Sequence, residues 1–572
     1  MTFDWNLAKD TSMDKHPVCY VQYAHARERW IPEIWILVDT RECRAENVGG
    51  LRPRMRFLLW GDPERGSKSW KNICIHNQNH RRGITKLRPT LRFLNDALME
   101  KIISEAIHIL CSLGVDVHNK GILAMLADHG ARVDTEKWHA VFTERIIEDC
   151  LKTVPRSFSL YDVNGNKTHC FEGYNVHFTP GSTALNVLDH KTKELRTPTT
   201  GDYVNYVKVV GQLDGIASQS TALVPADVAT GISDSYRLFL SLLYGEKPVV
   251  TGAFAIESFA VMKDLQVLVR GTEKALKEKP LTIFSCCPTS PLKWSEVTSQ
   301  NVVDCARCMI PVEFIAMPLS GFMAPVTLVG TLIQHTAETL SGVVISQLAN
   351  PGAPVLYGGS PAIFDMRHST TPMGAIETMM VDCAYNEIGK RFGIPTQAYI
   401  SLSDAKQLDA QAGLETGIGA TLAALAGINS ITGPGMLDFE SCQSLEKLVL
   451  DNEICRMALR AAAGIEPRED FPSQPLFEEL LAEGQMLTSI HTLTHLRAEH
   501  IFPGPVIDRA NRERWKEDGR LSLEERAHRE VEKLVASYTP SRLPDATKRG
   551  LVKRMEEEAR RFGQEKLPKR PE

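Results

Sequence analysis

Residues 353–377 read APVLYGGSPAIFDMRHSTTPMGAIE, and the fold is decided by how this stretch is parsed. Pro354, Val355, Leu356 and Tyr357 form a short apolar run, β-branched and aromatic enough for a buried strand. Gly358, Gly359 and Ser360 end it, a polar loop containing Pro372 follows, and a helical pattern begins at Met373. Strand, loop and helix in that order make one βα unit. On a parallel sheet, the loop after a strand's carboxyl end is where reactive side chains collect. Here it carries Asp365, Arg367 and His368 within four residues. The alternative is a loop whose Asp and Arg pair only with each other.

The same unit recurs on both sides. Strand-like apolar runs sit near 175–179, 213–218, 248–252, 281–285, 312–317, 354–357, 397–401 and 428–432. Helical patterns fill the gaps, for example 226–243, 257–277, 327–348, 373–392 and 411–426. Alternation implies right-handed crossovers and a parallel sheet. Eight units are the count for a closed (β/α)8 barrel, and no convincing glycine-rich phosphate turn follows the first strand, as an open doubly wound sheet would want. The expected fold is therefore α/β, a (β/α)8 TIM barrel with an N-terminal helical cap and a C-terminal helical extension. Six strand ends carry small residues, Gly358-Gly359-Ser360 among them, which leaves a broad, shallow space for a large flat group or a partner protein.

The flanks read differently. Leu94, Leu98, Ile102, Ala106 and Leu110 repeat at helical spacing; a second helix is expected over 119–129, and a third from Asp134 to just before Pro155. Two hairpins follow, one turning at Asn164-Gly165. Residues 1–83 hold five of the eight tryptophans and show no sustained period. The domains expected are a leader over 1–83, a helical cap with hairpin over 84–174, the barrel over 175–460, and a helical extension with a charged tail over 461–572. His491 and His495 lie four apart, a zinc-compatible spacing, but no HExxH order accompanies them, so packing is the better reading. Cys305 and Cys308 have CxxC spacing without a second pair and read as structural thiols. The tail after Arg542 reads as a solvated helix or disordered segment.

The chain has 572 residues, 43% hydrophobic and 24% charged, with net charge −5, so no nucleic-acid or anionic-membrane surface is implied. No apolar run approaches the roughly 18 residues of a membrane span. The start lacks the basic-then-apolar order of a secretory signal, and thirteen cysteines without framework spacing indicate reduced thiols in a cytoplasm.

Several long motifs carry a resemblance. GITKLRPTLRFLNDALMEKIISEAIHIL, YGGSPAIFDMR, the run 404–439 (DAKQLDAQAGLETGIGATLAALAGINSITGPGMLDF), HTLTHLRAEH and DRANRERWKEDG occur in order. Over about residues 84–540 the chain resembles the trimethylamine:corrinoid methyltransferase family. Every position is a standard residue, so it resembles the non-pyrrolysine branch that includes glycine betaine:corrinoid methyltransferases. A second resemblance, of HPVCYVQYAHAR (16–27) to a segment of arginyl-tRNA synthetases, covers twelve residues, and no aminoacylation role is carried over from it.

The family resemblance implies a (β/α)8 barrel that moves a methyl group from a methylated amine to the cobalt of a corrinoid (cobalamin) on a separate protein. No protein-bound metal is implied, and a homo-oligomer is expected. A quaternary amine is the preferred substrate, since it leaves as a neutral tertiary amine without a proton donor; trimethylamine remains open. Aromatic residues near strand ends, Phe178, Phe254, Phe322, Tyr357 and Phe364, are candidates to stabilise the cation. Arg367, or His368 when protonated, would hold a betaine carboxylate, with Asp365 or Glu377 orienting Arg367. Gly358, Gly359, Ser360, Asp404 and Gln411 are candidates for the corrinoid or its carrier. Two other readings stand beside this one. One is a lyase or aldolase-type barrel using Lys406; the other is a non-catalytic corrinoid-protein-binding scaffold. Convergence of Tyr357, Phe364 and Arg367 on one cavity would discriminate.

Overall fold

The computed structural model describes residues 87–468 and 470–571; the leader set apart by its composition lies outside them. Eight strands alternate with eight helices. They run β1 (His177–Thr179), α1 (Thr200–Val210), β2 (Gln219–Ser220), α2 (Ser233–Tyr244), β3 (Val249–Thr251), α3 (Ile256–Arg270), β4 (Thr282–Cys286) and α4 (Glu296–Cys308). There follow β5 (Val312–Phe314), α5 (Leu328–Ala349), β6 (Val355–Leu356), α6 (Ile376–Phe392), β7 (Gln397–Tyr399), α7 (Ala410–Ala426), β8 (Ser430–Thr432) and α8 (Leu445–Ala463).

Strands β2 to β6 form one parallel sheet in chain order, and β7, β8 and β1 form another. Two joins close the ring. Ala217 N donates to Phe178 O at 2.8 Å between β1 and β2, and Tyr357 N donates to Pro395 O at 2.8 Å between β6 and β7. The (β/α)8 barrel expected from the sequence is the observed fold. Its second strand begins at Gln219, later than the 213–218 run, because Leu213 and Ile216 close a turn and Gly215 packs on Asn452.

Register decides which side chains face the lumen, since residues paired across parallel strands share a face. Val250, Ile283 and Leu356 pack together with Leu160 and Phe171 of a hairpin (Phe158–Tyr161 with Lys167–Phe171), which plugs the amino-terminal end of the barrel. Ser285, two residues beyond Ile283, pairs with Glu313, and Glu313 with Leu356, so Ser285 and Glu313 also point inward. On the other side, His177 stacks edge-on against Phe171 of the plug. Its face therefore contains Thr179, Thr432 and Tyr399, which pair in one row. The lumen is apolar at the plugged end and polar at the mouth.

In the cap, helix Asp96–Ser112 is capped by Asn95 and buries Met99, Ile102, Ile103, Ala106 and Leu110. The third helix starts later than expected. Residues 132–141 form a β-hairpin turning at Trp138, whose φ is +58°, and helix Glu144–Thr153 is capped by Thr143 instead of Asp134. At the carboxyl end, helix Leu523–Ala536 buries Ala527 and Val531 and packs on α8 and α1. The tail is a helix, the first of the two alternatives read from the sequence, but one face of it is packed. Helix Asp545–Arg561 seats Leu551, Met555 and Ala559 on α2 and α3, and Arg554 reaches Asp264 at 3.1 Å. Charged residues hid a narrow apolar stripe at helical spacing. No helix of the described residues is long and apolar enough to cross a membrane.

Candidate active site at the barrel mouth

Glu313 is fully buried in the lumen. Its Oε1 accepts from Ser285 Oγ at 2.7 Å, while Oε2 has no hydrogen-bond partner. Burial pushes its carboxyl up to about 7, partly offset by the Ser285 bond. Tyr399 reaches in from β7; burial holds its phenol well above the usual range, and Glu440, Glu313 and Cys287 are its titratable neighbours. Cys287, just past β4, has an exposed side chain, yet burial raises its thiol to about 12. Glu313 and Glu440 are its charged neighbours.

Glu440 is delivered by strain. Asp438, Phe439 and Glu440 have φ of +50°, +53° and +67°, three successive left-handed residues without a glycine. Each costs about 1–3 kcal/mol and persists only where surroundings over-determine it. Here Asp438 N donates to Ala405 O, Ser441 Oγ donates to Asp438 at 2.8 Å, and Lys406 pairs with Asp438 at 3.1 Å. The Lys406 ammonium lies 3.7 Å from the Phe439 ring centre. Glu440 Oε1 is buried without a partner, and burial raises its carboxyl well above the ordinary range.

A third element lies along the same rim. Arg237 of α2 is fully buried and sits among the loops after β1, β2 and β3. Its Nη1 donates to Thr221 O at 3.1 Å and Thr183 Oγ1 at 3.3 Å, and its guanidinium stacks 4.8 Å from the Phe254 ring centre. Among the described residues, Nε and Nη2 have no hydrogen-bond partner. Two unpaired N–H directions on one buried planar cation suit a carboxylate.

Most residues singled out from the sequence lie elsewhere. Arg367 is 81% exposed and bonds Asp365 through Nη2 at 2.6 Å and Nε at 3.1 Å. Asp365 also accepts from Arg367 N at 2.8 Å, and its backbone bridges to Thr370. This is the loop-internal pair that the sequence left open. His368 is exposed, and Glu377 sits exposed in the first turn of α6, where its charge favours the helix amino terminus. Phe178 lies between inward-facing His177 and Thr179 and so points out into the helices. Tyr357 likewise turns outward, its hydroxyl donating to Thr336 Oγ1 at 3.1 Å. Phe364 stacks on exposed Phe322 at 4.8 Å between ring centres, on the outer rim. Tyr357, Phe364 and Arg367 therefore do not converge; of the five aromatics, Phe254 stacks on the buried Arg237, and Tyr357 packs on buried His335, whose Nδ1 is also unbonded among the described residues.

The residues suggested for the corrinoid lie on the turns after β6 and β7 and in the first turn of α7. A side chain on Gly358 would strike Gln397 and Phe314 O, and one on Gly359 would strike His335 and Ala316 O. Ser360 is buried beside them. Asp404 accepts from Met373 N at 3.0 Å and Gly374 N at 2.8 Å, tying the loops after β6 and β7, and Gln411 donates to Glu415 at 2.8 Å. Lys406, the residue an aldolase reading requires, is committed to Asp438, Asp404 O and Phe439. Cys305 and Cys308 are both free thiols.

Glu313 and Arg237 had faint sequence signals: a carboxylate inside the strand run PVEFIAM, and an arginine inside the apolar helix SDSYRLFLSLLY. A charge in an otherwise buried element is retained at a stability cost, which is informative in itself.

Buried carboxyls and a buried guanidinium, each with bonding capacity left over, lie at the carboxyl-terminal mouth, where barrel enzymes place their sites. The model of the trimethylamine methyltransferase (MTTB) family matches residues 64–563, and the chain belongs to that family and is a methyltransferase. It is 29% identical to trimethylamine methyltransferase MttB of Desulfitobacterium hafniense (strain DSM 10664 / DCB-2), an alignment covering 81% of this chain and 94% of that protein. It is 27% identical to glycine betaine methyltransferase of Desulfitobacterium hafniense (strain Y51), over 80% and 95% of the two chains. Among solved structures, the Methanosarcina barkeri monomethylamine methyltransferase (MtmB) aligns over 83% of this chain and 89% of its own. The sequence identity is 13% and the TM-score 0.44.

Proposed function

We propose that the chain is a corrinoid-dependent methyltransferase that demethylates a quaternary amine carrying a carboxylate, of the glycine betaine type. The observation that carries this reading is the pair of lumenal carboxyls, Glu313 and Glu440, each with an oxygen that no described residue bonds. A quaternary ammonium has no N–H to donate. It is recognised by charge and by aromatic faces, which Glu313, Glu440 and Tyr399 supply in a dry interior. Arg237 anchors the carboxylate from the neighbouring rim through Nε and Nη2. With both ends held, a methyl group is presented to the mouth in one orientation.

When bound, a reduced corrinoid supplies the nucleophile; the methyl–nitrogen bond breaks with its electron pair left on nitrogen. The tertiary amine departs neutral, so no residue needs to move a proton. The outer rim suits a carrier protein: Phe322, Val326 and Met366 are exposed together beside Gly321. The family membership and the relatives named for trimethylamine and glycine betaine support the reaction class.

One observation favours a second reading, demethylation of trimethylamine. A Glu313 that holds its proton to about 7 has a proton to give to a leaving amine. The two readings separate experimentally. The protein is mixed with reduced corrinoid carrier and glycine betaine, tetramethylammonium or trimethylamine, and cobalt absorbance is followed. Fastest turnover with glycine betaine is the expected result. Trimethylamine outpacing both quaternary amines would overturn the proposal.

A further inference from the structure

Away from the mouth, three segments distant in sequence bring metal-ligating atoms together. His190 lies in the turn between strands Asn186–Leu188 and Leu195–Arg196, inserted after β1. Glu446 is in the first turn of α8, and His528 is on helix Leu523–Ala536 of the C-terminal extension. One ligand atom from each lies within 4.8 Å of the other two. The imidazoles stack with centres 3.7 Å apart and planes inclined by 7°, so one ring must turn about its Cβ–Cγ bond before both can point a nitrogen at a single ion. His528 Nδ1 is 2.9 Å from Glu446 Oε1, and His190 Nδ1 is 3.9 Å from the same oxygen.

Three features distinguish this cluster from a packing contact. His190 Nδ1 is shut away from solvent and has no hydrogen-bond partner. The two separations bracket the roughly 3.3 Å between donor atoms of a tetrahedral site with bonds of about 2.0–2.1 Å. The supporting contacts are also those of a ligand set. Ser444 Oγ holds Glu446 Oε2 at 3.2 Å, as an outer contact orients a ligating carboxylate, and Glu532 lies one helical turn on, 3.6 Å from His528 Nε2. Glu524 lies 3.7 Å from His190 Nδ1 and is paired with Lys193. Three carboxylates thus face one ammonium, an imbalance that a divalent cation offsets.

We propose that His190, Glu446 and His528 bind a divalent transition metal ion of the zinc class, clasping the C-terminal extension to the barrel rim. Two imidazoles and one carboxylate form a borderline donor set that suits zinc over magnesium or calcium. The role is structural, because Glu446, His190 and His528 belong to three separate segments that the ion would hold in one place. This inference does not depend on the methyl-transfer reading.

The test uses the full chain, stripped with chelator, desalted and titrated with Co2+ alone. Visible d–d bands are expected with stoichiometric Co2+, and Zn2+ should displace them and raise the melting temperature. His528→Ala should abolish the bands, but it also removes the contact that ties its helix to Glu446. His190→Gln, in a surface turn, is therefore the deciding variant: it should weaken Zn2+ binding at least about 100-fold with an unchanged circular dichroism spectrum. Absence of bands in the wild-type protein would overturn the proposal. So would bands that survive His190→Gln, or that vanish in His491→Ala, which would place the ion at the His491–His495 pair.

Discussion

The loop after β6 and the interior of the barrel mouth carry similar carboxylates in opposite circumstances. Asp365 is satisfied on the spot: Arg367 supplies a guanidinium and a backbone N–H, and that side-chain bond holds its carboxyl well below the usual range. Glu313 is buried with one oxygen unbonded, and burial lifts it to about 7. Asp365 cannot change its charge near neutrality, and its partner faces water. Glu313 can, and it points into the barrel interior. Chemistry is located by what the fold leaves unpaired, and the density of charged letters is a poor guide to that.

The largest effect that would sharpen this comparison is expected at Arg237. Arg237→Met should lower kcat/KM for glycine betaine by about 100-fold or more, the loss of a buried bidentate contact. Activity toward tetramethylammonium, which has no carboxylate, should stay within about threefold. Equal losses on both substrates would mean that Arg237 only holds the rim together.

Next comes the pH dependence. Binding a permanent cation favours ionised Glu313, so kcat/KM for glycine betaine should rise about tenfold per pH unit below 7 and level off above it. A profile that falls as pH rises through 7 would show Glu313 acting as a proton donor, as trimethylamine chemistry wants.

A smaller effect concerns stability. Glu313 has a folded-state value near 7, above the unfolded value of 4.5. It contributes stability that is fully present below about pH 4.5 and is lost as pH rises through 7. Glu313→Gln removes that loss. The variant should therefore gain on the order of 2–3 kcal/mol over wild type between pH 5 and pH 8, read by denaturant unfolding. A stability difference independent of pH would contradict the raised value.

The smallest effect is expected in the loop. Arg367→Ala should leave kcat/KM within about twofold and the melting temperature within about 1 °C, because the pair is exposed. A tenfold loss of activity would restore the loop to the site.

The architecture was legible because apolar runs and helical periods are local. All eight barrel strands coincide with or adjoin a run read from the sequence, the second displaced by the turn at Gly215. The site was less legible because facing depends on register between strands far apart in sequence. Phe178 and Tyr357 looked like lumenal aromatics at strand ends, yet each sits one position from an inward residue and so turns to the helices. The turn at Trp138 displaced a helix start, because Asp134 has the composition of a cap but lies in a strand. Glu440 was hidden for a different reason: nothing in its neighbours' composition announces three left-handed residues. The meeting of His190 with His528 is purely tertiary.

The most direct measurement sets the two regions side by side: kcat/KM for methyl transfer from glycine betaine to the corrinoid carrier, in Glu313→Gln and in Arg367→Ala, at pH 8. The interior site predicts a loss of about tenfold to a hundredfold in Glu313→Gln, as a buried counter-charge to the ammonium is removed, and no more than about twofold in Arg367→Ala. An unchanged Glu313→Gln beside a crippled Arg367→Ala would contradict it.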